Sequence, residues 1–133
     1  MSCAATPIPT ERTVEGTPAE VAARIEAELP RLGFLRTEGA GAGIAAQTGN
    51  MPADWASCSP RLVSDGDDRR RMVTAGSRSA DVVIALSPAP GGTLVTVRTD
   101  LSATYRNPLR ASAFTAACRS TGVLESQLLA AAG

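Results

Sequence analysis

Thr93-Leu94-Val95-Thr96-Val97-Arg98-Thr99-Asp100-Leu101-Ser102-Ala103-Thr104-Tyr105-Arg106 is the stretch on which the fold turns. Successive side chains of a strand point to opposite sides, and here that period of two runs almost unbroken. Val95, Val97, Leu101, Ala103 and Tyr105 fall on one face. Thr96, Arg98, Asp100, Ser102, Thr104 and Arg106 fall on the other, and past Thr93 only Leu94 and Thr99 stand on the wrong sides. One apolar face and one wet face is the pattern that an antiparallel sheet permits. A strand of this length is expected to bend, here near Asp100. Arg98, Asp100, Thr104 and Arg106 on the wet face form a candidate binding surface. The plainer alternative is a row of solvated positions with cross-strand partners.

Upstream of that stretch, Pro88-Ala89-Pro90-Gly91-Gly92 reads as a hairpin turn, and Asp81 to Ser87 as its first strand, with Val82, Ile84 and Leu86 on one face. Arg71 to Ala75 is expected to be a strand closed by a turn at Gly76-Ser77-Arg78-Ser79. Arg61-Leu62-Val63 reads as a short strand and Asp65-Gly66-Asp67-Asp68 as a turn. Near the start, Arg12 to Glu15 reads as a first strand. Thr17, Pro18 and Glu20 then give a capping box with proline at the first helical position. Val21, Ile25, Leu29 and Leu32 share one face of that helix, which Pro30 should end or kink and Gly33 should cap. Phe34 and Leu35 lead into a strand. The glycines at 39, 41 and 43 read as a hairpin, and Ile44 to Thr48 as the returning strand. Residues 50–61 look irregular, with Trp55 expected to cover one end of the core.

Downstream, Asn107-Pro108 reads as the cap and first residue of a second helix bearing Phe114, Ala117 and Cys118 on one face. Gly122 breaks that run, and Val123, Leu124 and Leu128 mark a short final helix. The sum is an α+β domain over residues 11–133, after a flexible tether at residues 1–10. It would be an antiparallel sheet of about five to six strands, packed on one face by an N-terminal helix and a C-terminal helix pair, in a helix-grip-like arrangement.

Composition narrows function by exclusion. The 133 residues suit one domain. Apolar residues make up 44%, enough for a core, but with one Trp, one Tyr and two Phe that core must rest on Val, Ile and Leu. Thirteen basic residues balance thirteen acidic ones, so no basic face is expected for nucleic acid. All the basic residues are Arg, and there is no His. That removes the commonest general base and the usual ligand of zinc and copper. No apolar run approaches the ~20 residues of a membrane span.

The three cysteines are more informative. Cys3 follows a small residue and precedes Ala4-Ala5-Thr6-Pro7-Ile8-Pro9-Thr10, the look of a lipidated end on a flexible tether, and Met1 is then expected to stand in place of a signal peptide. The other possibility is an incidental thiol. If Cys3 carries lipid, Cys58 and Cys118 remain as an even pair, and a disulfide belongs to an oxidising compartment. Two buried free thiols are the alternative.

No constellation of catalytic residues survives inspection. The glycines at 39, 41 and 43 lack the spacing and the following helix of a phosphate cradle. Asp65, Asp67 and Asp68 resemble the start of a calcium loop, but Arg70 and Gly76 stand where it needs Gly and Glu. Arg69-Arg70-Arg71 is offset by those aspartates, and its plain reading is a solvated turn, with anionic lipid as the alternative. The serines have no His or Lys base beside them. No cofactor, metal or catalytic residue is therefore assigned.

Trp55-Ala56-Ser57-Cys58 and Cys118-Arg119-Ser120-Thr121-Gly122-Val123-Leu124-Glu125 resemble segments of a group of small proteobacterial lipoproteins. In that group a mid-chain Cys near a Trp accompanies a C-terminal Cys-x-Ser-Thr-Gly-x-Leu-Glu segment. Its members are similar to the helix-grip domains of the outer-membrane assembly lipoprotein C. Over residues 12–130 the resemblance implies a periplasm-facing, lipid-anchored domain with a mid-chain to C-terminal disulfide, and it transfers no catalytic residue. The expected protein is a non-enzymatic accessory module, anchored to a bacterial membrane with the outer membrane favoured, and docking a protein partner of the envelope. The alternative is a carrier of a small ligand or lipid in a cavity between sheet and helices.

Overall fold

The computed structural model describes residues 8–37, 43–58, 74–107 and 112–133, with side chains omitted at 36, 37, 74–76, 106, 107 and 112–114. The chain is α+β. Strands β1 (Glu11–Val14), β2 (Leu35–Thr37), β3 (Gly43–Thr48), β5 (Thr74–Ala89), β6 (Gly92–Asn107) and β7 (Ser112–Ala117) form one antiparallel sheet. Its order is β2-β3-β5-β6, with β1 and β7 lying end to end along the far edge of β6. A two-stranded ribbon pairs β4 (Ala56–Ser57) with β8 (Arg119–Ser120). Two helices complete the described chain, α1 (Pro18–Glu28) near its start and α2 (Val123–Ala132) at its end.

The period-two alternation controls the sheet. Val95, Val97, Leu101, Ala103 and Tyr105 on β6 are buried, as are Ala80, Val82, Ile84 and Leu86 on β5 and Ile44 and Ala46 on β3. These meet Val21 and Ile25 of α1, Leu29 at its C-terminal cap, and Leu124, Leu128 and Ala132 of α2 in one hydrophobic core. Trp55 stacks on Phe34, ring centres 5.4 Å apart, and both are buried at one end of that core.

Local signals set the helix ends. Thr17 Oγ1 accepts the Glu20 amide, and Glu20 Oε1 accepts the Thr17 amide in return. That reciprocal pair satisfies two amides at the helix start that have no partner within the helix. The bond from the Thr17 amide, then that from its hydroxyl, holds the Glu20 carboxyl below its ordinary range. α1 ends ahead of Pro30, which opens a single 3-10 turn, Pro30–Leu32, closed by Gly33. Arg24 of α1 reaches across to the C-terminal end of α2, where its Nη1 donates to the carbonyls of Glu15 and Ala132. A cation there suits the helix dipole.

Gly92 is fixed by crowding. It follows the Pro90-Gly91 turn with φ +152°, and a Cβ built on it would lie 1.9 Å from the carbonyl oxygen of Val14. Only glycine lets β1 close against β6 there.

Two expectations need correction. The C-terminal helix pair is a single helix, α2. The segment read as its partner is β7, which pairs Ser112–Ala117 with Ser102–Asn107. The far half of β6 has a free edge, and six residue pairs on that edge outweigh the helical preference of an Ala-rich segment. The turn expected at Gly76-Ser77-Arg78-Ser79 is a register shift between Ala75 and Arg78 inside a continuous β5. One extra residue is slipped into β5, so that Gly76 and Ser77 together oppose Thr104 without ending the pairing, as in a β-bulge. β6 keeps its register with β5 through Asp100. The readings at residues 39–42, 61–63 and 65–71 lie outside the described residues, as does Cys3. The end of the expected tether packs: the Val97 amide donates to the Thr10 carbonyl at 2.7 Å, and Ile8 stands over Gly122.

Candidate functional site

Two places concentrate the polar chemistry of the described chain. The first is the ribbon end. Cys58 and Cys118 are joined in a disulfide across 60 residues of sequence, with Cα atoms 4.6 Å apart. The Tyr105 hydroxyl donates to the Cys58 carbonyl, and the Cys118 amide donates to the Leu101 carbonyl at 2.7 Å. One residue past the ribbon, Thr121 Oγ1 contacts the carbonyls of Asp54 and Trp55 at 2.7 and 3.0 Å, and its amide also donates to Trp55. The Trp-Ala-Ser-Cys and Cys-x-Ser-Thr-Gly segments, far apart in sequence, are thus stitched to each other.

Glu125 lies at the centre of the same end, in the first turn of α2 and 3% exposed. Ser120 Oγ lies 2.8 Å from both of its carboxylate oxygens, and Thr99 Oγ1 donates to Oε2 at 3.0 Å. Ser120 Oγ also accepts the Gly122 amide at 3.1 Å. Gly122 takes a left-handed conformation, φ +90°, to turn the ribbon into the helix. A Ser beside a Glu invites comparison with a nucleophile and its base. Here the hydroxyl is held between the helix start and a buried carboxylate that other groups already engage. The hydroxyl thus bridges the Gly122 amide, at the entry to α2, and a buried carboxyl group whose two oxygens are both engaged.

Sequence reasoning missed Glu125. The signal was Thr99, a polar residue on the apolar side of the alternation, which in a buried position requires a partner.

The second place is the outward face of the sheet. Arg98 and Asp100 are exposed there as predicted, and Thr104 is half-buried with its hydroxyl 3.2 Å from that of Thr115 on β7. Arg106 lies opposite Thr74 and Ala113 in the ladder. The register adds what the sequence could not supply. Asp100 stands directly opposite Asp81, and Arg98 opposite Val83. Continuing across the sheet, Asp81 faces Gln47, and Gln47 faces Leu35. Like charges directly opposite one another are unfavourable. Among the described residues Asp81, Asp100 and Arg98 make no ion pair or hydrogen bond through their side chains. Among the described residues Leu35 and Val83 are the exposed large hydrophobic ones, at 76% and 51%.

Among the described residues no group of three His, Cys, Asp or Glu is placed to hold a metal, and no helix is long and apolar enough to cross a membrane. A groove of about 470 Å³, lined by Arg24, Ala27, Glu28, Arg31 and Ala131, opens outward between the helices rather than under the sheet. No family model, curated protein or solved structure matches the chain.

Proposed function

We propose that the chain is a non-enzymatic, periplasm-facing lipoprotein domain, anchored through Cys3 to a bacterial membrane, the outer one by preference. It serves as a binding or accessory module of an envelope or membrane-protein complex. The Cys58–Cys118 disulfide carries this reading, because such a bond persists in oxidising compartments. The Pro/Thr-rich stretch after Cys3 and the resemblance to small proteobacterial lipoproteins support it. The working surface is the outward sheet face around Arg98, Asp100, Thr104 and Arg106, which neither helix covers.

The carrier alternative has no observation of its own. Val21, Ile25, Leu124, Leu128, Val82, Val95 and Val97 are all at most 1% exposed, between helices and sheet where a ligand would sit. Affinity purification of the full-length native protein from membranes tests the proposal. Recovery with a stable envelope partner supports it, and recovery as free, unacylated monomer contradicts it.

A further inference from the structure

We infer that the outward sheet face docks a second copy of this chain, face to face about a two-fold axis that pairs Arg98 of each copy with Asp100 of the other. The inference rests on that face being the working surface.

The argument begins with the order of charges. One rung of the sheet reads Leu35, Gln47, Asp81, Asp100, and the rung beside it reads Ala45, Val83, Arg98. Two carboxylates therefore stand together, and the guanidinium nearest to them along β6 is one rung away, at ~7 Å. Within one copy this arrangement leaves all three charges unmatched among the described residues.

A two-fold axis can lie in the contact plane, across the strands and midway between the two rungs. It carries each rung onto the other. Arg98 then meets Asp100, Asp100 meets Arg98, and Val83 meets Asp81 at the edge of the same guanidinium. An interface of this kind needs a patch complementary to itself, with residue i meeting j and j meeting i. Opposite charges one rung apart on one strand supply that condition. A partner of a single charge sign would satisfy one half of the patch and oppose the other.

The relief of the face agrees. Ala45, Ala85, Ser79 and Ser102 are small residues on the outward side of β3, β5 and β6. They allow two sheets to approach to the ~10 Å of face-to-face packing. Leu35 and Val83 supply apolar area that a lone copy leaves in water.

The test is sedimentation of the full chain over a range of concentrations. The wild-type protein should form a dimer that weakens as salt is added. Arg98→Asp and Asp100→Arg, each alone, should raise the dissociation constant about tenfold or more, because each places like charges against each other at both symmetric contacts. The double exchange, Arg98→Asp with Asp100→Arg, should restore the dimer. These positions are exposed, and unchanged melting of each variant shows that folding is not the cause.

A dimer indifferent to both single exchanges overturns the inference, as does a wild-type monomer at every concentration. Failure of the parent reading looks different. If wild type is monomeric yet captures another envelope protein, and Arg98→Asp abolishes that capture, only the second copy is refuted. If neither dimer nor partner responds to either exchange, the face itself is not the working surface.

Discussion

The inward and outward faces of β6 come from one alternating stretch of sequence, yet they treat polar groups in opposite ways. On the inward face each hydroxyl is matched. Thr93 donates to the Gly16 carbonyl at 2.8 Å, Thr99 to Glu125, and Tyr105 to Cys58. On the outward face Arg98 and Asp100 have no described side-chain partner, and Asp100 faces a second carboxylate. A buried polar group that lacks a partner costs about 1–3 kcal/mol, whereas an exposed one is paired by water. Burial therefore enforces matching, and unmatched charge collects on the face left to solvent or to another molecule. The inward face explains stability, and the outward face is where binding is sought.

The sharpest way to break the comparison is to force open the edge at which the inward face is sealed. Gly92→Ala sets a methyl group against the Val14 carbonyl in a backbone conformation that strains any side chain. A loss of about 3–5 kcal/mol is expected from strain and overpacking together. Chemical denaturation would read it, and amide exchange would show β1 as the strand released. Next comes the ribbon. Replacing Cys58 and Cys118 together by Ser removes a cross-link over 60 residues. The chain should become about 2–4 kcal/mol less stable, seen as a lower midpoint in urea. Removal of the matched carboxylate should cost somewhat less. Glu125→Ala leaves Ser120 and Thr99 without their acceptor, and about 1–3 kcal/mol should disappear from the unfolding free energy. The outward face should be nearly silent by the same measure. Arg98→Ala and Asp100→Ala are each expected to change stability by no more than about 0.5 kcal/mol. A large destabilisation at either position would mean that the outward face is structural after all.

How far the sequence reached depended on the range of the forces involved. The β5–β6 hairpin, the capping box at Thr17 and Glu20, and the final helix were all readable, because each is written in residues a few positions apart. β7 was not. Asn107-Pro108 looks like a helix start, and Ala117 and Cys118 follow Phe114 at helical spacing. The free edge of β6 that claims this segment is a tertiary fact that no local window contains. For the same reason β5 runs through Gly76-Ser77, since the ladder on β6 tolerates an irregularity that looks locally like a turn.

The candidate surface divides in the same way. Alternation alone identified Arg98, Asp100, Thr104 and Arg106. The opposing Asp81 needed the register between β5 and β6, which local alternation does not specify. The disulfide lay between these cases. Its pairing followed from counting cysteines, while the stitching of Thr121 to Trp55 and of Ser120 to Glu125 emerged only in three dimensions.

Placement of this domain in an oxidising compartment on a lipid anchor is tested most directly by the intact mass of native protein taken from membranes without reductant, before and after alkylation of the folded chain. The expected species carries acyl chains on Cys3, is lighter by the two hydrogens lost at Cys58 and Cys118, and gains no alkyl group at either. Free alkylation of both thiols in the folded protein, with Cys3 bare, would contradict it.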